Sequence, residues 1–400
     1  MHVVNCCRIL TFVLVIAAWF LPGGKLSAQI TLSSVGNASN TNNSRAFALG
    51  IAVAGNYAYL ANGYDGLRIF DVSDPTYPWN VGSANDGGYA EIVALSGHYA
   101  YLANYNDGLR VYDVQDPANP VNVGQTNSGS LAFGVVVSGN YAYLANGSAG
   151  LRVYDVSDPT APTKIGQTNN GGLALGVAVL SNYVYLANYN QGLCIYDVSN
   201  PTNPMFVSAT NDSGGLAFGV AVKGHYAFVA NYGDGLRIYD VANPLNPVNV
   251  GYASNTNGGE AYGVTVKGKF AYVANGDDGL RIFDVSDPTN PVATGYADNS
   301  GYLGGNAFDV VVDGAYAYLA NYTDGLRIFQ LQPQLYLDLV GTNTCLFSWP
   351  APAPFVLQKS YDLASTNWIT LTNTPVSIGA SNQLAMPAPS GSVFYRLINP

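Results

Sequence analysis

Gly66-Leu-Arg-Ile-Phe-Asp-Val72 decides the fold, because the chain writes this phrase seven times: again from Gly108, Gly150, Gly192, Gly235, Gly279 and, ending in Gln-Leu, from Gly325. The anchor glycines stand 42, 42, 42, 43, 44 and 46 residues apart. A period of this length, made of short β-type runs, means units that cannot bury both faces alone and must pack on their neighbours.

The third copy shows one unit. An apolar run at Leu131–Val137 meets the turn Ser138-Gly139-Asn140, a second run follows at Tyr141–Ala145, and Asn146–Gly150 turns into a third at Leu151–Val156. Asp158-Pro-Thr-Ala-Pro162 then leads into a short fourth run at Thr163–Gly166. Each run has strand length, each break carries turn residues, and no helical period intervenes. Four antiparallel strands per copy make a blade, and seven copies predict an all-β, seven-bladed β-propeller. After Phe329 the last copy lacks the Asp-Pro-x-x-Pro turn and the fourth strand, whereas Ile30–Gly36 resembles the fourth-strand phrase Val121-Asn-Val-Gly124. An N-terminal clasp strand pairing with the third strand of the last blade is therefore expected, hiding the sheet edges.

The tandem GLRIxDVxDPxxP phrase resembles the LVIVD-repeat family of exported β-propellers, over residues 29–332. That resemblance implies a surface scaffold, and it speaks to fold and location more than to activity. Residues 333–400 leave the period, with strand-like runs at Leu335–Val340, Cys345–Trp349, Phe355–Lys359, Trp368–Leu371, Val376–Ile378 and Val393–Leu397. Their LQKSYDLxxxxW…FYRL pattern resembles the small fibronectin-like β-sandwich modules that end many exported proteins, which implies a spacer or an anchor.

Residues 1–28 read as a secretory signal: Arg8, an apolar run from Ile9 to Leu21, then Pro22-Gly23-Gly24 and Leu26-Ser27-Ala28 before the cut. The run is too short to span a membrane and no later run approaches that length, so the mature chain is expected to be secreted or held at the cell surface without a transmembrane segment. The formal charge is −10 and falls by two when Arg8 and Lys25 leave. An acidic exported chain without clustered Lys and Arg is no nucleic-acid binder. Cys194 and Cys345 alone remain in the mature chain, too few for a disulfide framework, and both are expected as buried free thiols. With only His98 and His225 left, neither a His-rich metal site nor a Ser-His-Asp triad can be assembled. A monomer without cofactors is expected.

Comparison among the copies separates packing from sites. Asn62, Asn104, Asn146, Asn188, Asn231, Asn275 and Asn321 each precede the anchor glycine by four residues and read as turn residues tolerant of positive φ. Arg68 and its repeats (Cys194 replaces one) should bury their stems and pair with carboxylates or carbonyls. Asp71 and its repeats should hold the Asp-Pro-x-x-Pro turn. The growth in repeat length falls between the fourth strand and the next first strand, as in Ser254–Gly259 and Asp298–Gly305. Insertions on one face of an array mark its binding face.

Three acids, Glu91, Glu260 and Asp309, break the apolar pattern of the first strands. At the mouth of the ring they could bind a cation or a sugar hydroxyl, or be wetted by channel water or bonded to backbone. Tyr64, Tyr105, Tyr189, Tyr232 and Tyr322 belong to the same face, where tyrosine suits polysaccharide or protein contact. Asp65, Asp107, Asp234, Asp278 and Asp324 lack the dense spacing of a calcium loop, which leaves calcium only a sparse acid pattern. The expected function is non-enzymatic binding of a protein or glycan. The rival is a carbohydrate-active hydrolase or lyase with its acids at the mouth, for which a suitable carboxylate separation is required.

Overall fold

The computed structural model describes residues 30–39, 46–85, 87–210, 215–254, 258–298, 305–331, 336–340, 344–350, 356–361, 367–378, 381–387 and 394–398. Every regular element among them is a β-strand, and no described helix is long and apolar enough to cross a membrane. The expected secretory signal lies outside the described residues.

Thr31–Leu331 is one compact unit of seven blades. Blade one runs Ala46–Ala54, Tyr57–Gly63, Leu67–Asp71 and Trp79–Ala84, paired in that order, and the next five blades repeat this antiparallel meander. Blade seven contributes Asp309–Asp313, Tyr316–Ala320 and Leu326–Leu331. The strand Ile30–Ala38 pairs antiparallel with the last of these, Leu32 opposite Leu331 and Asn37 opposite Arg327. It also lies beside Val292–Ala297 of blade six, so one sheet runs through both blades.

The repeated Tyr-Ala-Tyr-Leu-Ala strand explains why a blade needs two neighbours. In blade two, Ala100 and Leu102 pack against Tyr59, Leu67 and Ile69 of blade one, while Tyr101 and Ala103 pack against Ala142, Leu144 and Tyr154 of blade three. Side chains alternate across a strand, so both faces of the sheet are buried and the run reads as continuously apolar. The same kind of cluster spans the first and last blades, where Ile51, Leu60 and Phe70 meet Tyr318, Leu326 and Ile328. The ring is closed by its core.

A chain of backbone bridges runs around one face. The residue after each repeated Asn pairs with an alanine of the next blade: Gly63 with Ala90, Tyr105 with Ala132, Gly147 with Ala174, Tyr189 with Ala217, Tyr232 with Ala261, Gly276 with Ala307, and Tyr322 with Ala48. At the closing junction both bonds, Ala48 N–H to Tyr322 O and Tyr322 N–H to Ala48 O, are 3.0 Å. Inside this circle the first strands crowd together. A Cβ at Gly134 would stand 2.6 Å from the Leu175 carbonyl oxygen, closer than such atoms approach. Glycine fills that slot in five blades, and Ile92 and Asp309 replace it in the other two.

The described residues of Gln332–Pro400 belong to a second unit. Tyr336–Val340, Thr344–Pro350, Ser381–Pro387 and Val376–Ile378 pair in that order as one sheet, and Ile369–Thr370, Val356–Ser360 and Phe394–Ile398 as another. Phe347, Trp349, Leu357 and Leu384 are buried. Ser381–Pro387 is a strand that the sequence pattern does not announce, since its residues are mostly small or polar.

Candidate functional site

The second-to-third turns and the fourth-to-first loops share one face, and hydrogen bonds join them. Asn85 Nδ2 donates to Tyr64 O at 2.9 Å, and Asn169 Nδ2 to Ser148 O at 2.7 Å. The repeated asparagines work from the other side: Asn104 donates to Gly87 O at 3.2 Å, Asn146 to Ser128 O at 3.1 Å and Asn188 to Gly171 O at 2.9 Å. The asparagines are turn residues, as expected, but none of the seven is itself at positive φ. They are buried hydrogen-bonding posts, and the left-handed position is the residue that follows each of them.

That following residue is Gly in blades one, three and six, with φ of 55–59°. In the other four it is a tyrosine: Tyr105 (φ 44°), Tyr189 (47°), Tyr232 (49°) and Tyr322 (48°). Ser181 is the only other non-glycine residue with positive φ among the described residues. An L-residue with a bulky side chain is strained there by about 1–2 kcal/mol. Tyr64 belongs to the same face but sits one position later in its turn, where its side chain is 52% exposed.

The acids that precede the anchor glycines have a structural occupation. Each pairs with the arginine three residues on, Asp107 with Arg110 at 3.1 Å and Asp278 with Arg281 at 2.7 Å, and likewise Asp65 with Arg68, Asp234 with Arg237 and Asp324 with Arg327. Asn275 and Asn321 add hydrogen bonds of 2.9 Å to the same carboxylates. Blade four loses both partners together: Gln191 and Cys194 stand in their places, and Asn170 bridges them at 3.0 and 3.3 Å. Burial pushes the Cys194 thiol up. Cys345's side chain lies outside the described residues. No group of three His, Cys, Asp or Glu among the described residues could hold a metal ion.

The repeated Asp71, Asp113, Asp155, Asp197, Asp240 and Asp284 each accept a backbone N–H two residues on, at 2.8–2.9 Å. They hold the entry to the Asp-Pro-x-x-Pro turn, as expected.

The tyrosines join a larger assembly that the sequence reading missed. The residue flanking each bridging alanine on the first strand is usually aromatic, and these rings interleave with the turn tyrosines. Tyr189 meets Phe218 (5.7 Å between centroids), Phe218 stacks on Tyr232 (5.3 Å), Tyr262 stacks on Phe308 (4.5 Å), and Tyr322 lies between Phe308 (5.3 Å) and Phe47 (4.5 Å). A second arc runs Tyr64–Tyr89 (4.7 Å), Tyr89–Tyr105 (6.0 Å) and Tyr105–Phe133 (5.4 Å). The arcs meet at Gly63, where an added Cβ would lie 3.2 Å from Tyr89 and 3.4 Å from Phe47. Apart from the more exposed Tyr64, these rings are half-buried, so their free faces form an aromatic collar. The phrases Ala132-Phe-Gly134, Ala217-Phe-Gly219 and Ala261-Tyr-Gly263 carried the signal.

The three sequence-selected acids occupy three different positions of the repeat. Glu260 precedes the bridging Ala261, Glu91 follows Ala90, and Asp309 stands two places beyond Ala307. Glu260 is held by phenols: Tyr232 donates to Oε1 and Tyr262 to Oε2; the bond to Glu260 pushes the Tyr232 phenol up, and burial, then the bond to Glu260, pushes Tyr262 up. Glu91 accepts no hydrogen bond among the described residues, and desolvation pushes its carboxyl up to about 8. Tyr89 beside it is pushed up by burial, by the Glu91 charge and by the phenols of Tyr322, Tyr64 and Tyr105. Asp309 takes backbone N–H groups instead, from Ile51 at 3.1 Å and Val310 at 2.8 Å.

The repeat phrase and the blades define a class, the repeat-built β-propeller. Within it, the LVIVD repeat matches residues 47–86, 87–128, 130–170, 171–212, 214–253, 258–298 and 304–329, and the chain belongs to the LVIVD repeat family. Among curated proteins none is similar enough in sequence to match. Among solved structures, the crystal structure of the computationally designed Ika8 protein superposes with a TM-score of 0.53 over 77% of this chain and 100% of that one, at 7% identity. At that identity the likeness bears on fold alone.

Proposed function

We propose that this is an exported, non-enzymatic binding protein that presents the collar face of its propeller to a protein or glycan partner. One observation carries the reading. Four blades keep a strained tyrosine where three others use glycine, and the rings so placed are not sealed in the core. Backbone strain of this kind persists only where the surrounding structure holds it in place, and it clusters at binding and active sites. The test is capture from the native surface and a glycan array, each run with the wild-type protein and with Tyr105, Tyr189, Tyr232 and Tyr322 all changed to Gly. The variant is expected to stay folded and lose its partner; a folded variant that captures the same partner sinks the reading.

The rival, a carbohydrate-active hydrolase or lyase, has Glu91 in its favour as a carboxyl protonated near neutrality. Against it, Glu260 and Asp309 are both engaged, by phenols and by backbone. Release of reducing ends from polysaccharides by the wild type, lost in Glu91→Gln, would favour the rival.

The strand Ile30–Ala38 is assigned the role of clasp. Its Gly36 offers the same close seat to Pro75 O of blade one (2.0 Å from an added Cβ) that Gly82 offers to Pro117 O of blade two (2.1 Å). Deleting it should lower the melting temperature sharply. Export rests on the signal-like residues 1–28, and the two C-terminal sheets with their buried Phe347, Trp349 and Leu384 support a fibronectin-like sandwich acting as spacer or anchor.

A further inference from the structure

The collar has a consistent electrostatic character. Among the described propeller residues, His98, Lys223, His225, Lys267 and Lys269 stand at or beside the first-to-second turns, at the opposite end of the blades, and Lys164 lies on a fourth strand. Among the described residues, the arginines nearest the collar side are bonded: five to the Asp of their own turns, Arg152 to Gln167. Glu91 and Glu260 sit directly on the ring assembly, one on each aromatic arc. Aromatic faces carry the negative end of a quadrupole and attract ammonium and guanidinium groups.

The hydrogen-bonding inventory points the same way. Tyr232 and Tyr262 spend their hydroxyl protons on Glu260, so the cluster around it offers acceptors and π faces. A sugar hydroxyl is matched best by donors and acceptors together, whereas a cationic side chain needs acceptors alone. At Glu91 a carboxyl without a described hydrogen bond would give up its proton and gain a cationic partner. We infer that the collar docks a Lys- or Arg-bearing peptide segment of a partner protein, its cationic groups lying on the tyrosine faces and reaching Glu91 on one arc and Glu260 on the other. This rests on the collar being the binding face. The acidic chain as a whole would draw such a segment in from a distance, more weakly as salt rises.

The test titrates the full chain by calorimetry with a tetralysine peptide, with its fully acetylated counterpart, and with a neutral chitohexaose, at low and at high salt. Tetralysine is expected to bind and the acetylated peptide not to. Titrated at pH 9, where Glu91 is ionised and lysine is still cationic, Glu91→Gln and Glu260→Gln should each weaken binding at least about fivefold, because each removes a charge beside a π face and keeps a hydrogen-bonding side chain. Asp116→Asn, an exposed acid of the Asp-Pro-x-x-Pro turn, should leave affinity unchanged. Circular dichroism checks that each variant is folded. Tetralysine that fails to bind, or binds the double Gln variant as it binds the wild type, overturns the inference. Chitohexaose bound in its place, with loss in the four-tyrosine variant, overturns the cation and leaves the binding face standing. Capture of native partners untouched by the four-tyrosine variant removes both.

Discussion

Asp309 Oδ2 accepts the backbone N–H of Ile51 at 3.1 Å, across the junction where the last blade meets the first. The inner strand of a blade turns unpaired N–H groups toward the ring axis, and here a carboxylate from the neighbouring blade takes one. Burial pushes the Asp309 carboxyl up to about 7, against two backbone bonds that lower it, and burial alone pushes Glu91 up to about 8.

These two acids set a pH dependence. Their folded-state values lie above those of the unfolded chain, so the native state retains protons that the unfolded chain has released. Their stabilising contribution is complete below the ordinary carboxylate range and is lost as pH climbs through 7 and 8. Thermal melting should give a higher Tm near pH 5 than near pH 9, and Asp309→Asn combined with Glu91→Gln should flatten the difference. A slope unchanged in that double variant would refute the assignment.

The left-handed tyrosines predict an inverted ranking. Tyr189→Ala and Tyr189→Gly lose the same ring contact with Phe218. Only glycine relaxes the backbone at φ 47°. Tyr189→Gly should therefore be the more stable by about 1 kcal/mol, or about 3 °C in Tm. Equal melting temperatures would mean that the turn carries no strain.

Blade three invites a repair. Ala149 stands where five blades place Asp, and the buried Arg152 Nε has no partner. Ala149→Asp copies a geometry already present in five neighbours and should stabilise the protein by about 0.5–1 kcal/mol at low salt, less at high salt. Urea denaturation measures this; no gain would mean that the Arg152–Gln167 contact already satisfies the guanidinium.

The inner glycines are expected to be intolerant in proportion to their neighbours. Gly134→Ala drives a methyl group to within 2.6 Å of the Leu175 carbonyl oxygen, backbone that cannot step aside, whereas Gly139→Ala enters open space at φ 56°. The first should cost about 2 kcal/mol or more and the second about 1 kcal/mol. Melting curves that reverse this order would contradict the packing of the first strands.

The blades were legible because their cause is local and repeated: the same phrase meets the same neighbours seven times. Gly134 announced its slot by recurring, and Asp309 stood out by departing from it. Phe218 and Tyr262 were not legible as a collar, since on a strand buried on both faces an aromatic residue reads as core until the bridge between Tyr232 and Ala261 fixes where the strand ends. The acid partner of five of the arginines could have been found from the joint loss of both at Gln191 and Cys194. The asparagines were legible as turn residues but not as buried posts. Their residue type fits a turn, and only their burial shows that the side chain, and not the backbone, is what each turn needs.

The grip of Asn104, Asn146 and Asn188 on a loop carbonyl shortly before each bridging alanine separates two things that usually change together. Whatever length a rim loop has upstream of that grip, it re-enters the barrel of strands at the same place and in the same direction. New sequence can therefore be grafted into one loop without retuning the blade beneath it, and the three sockets at Asn104, Asn146 and Asn188 can diversify independently. A ring built this way can change the shape of its rim by insertion alone.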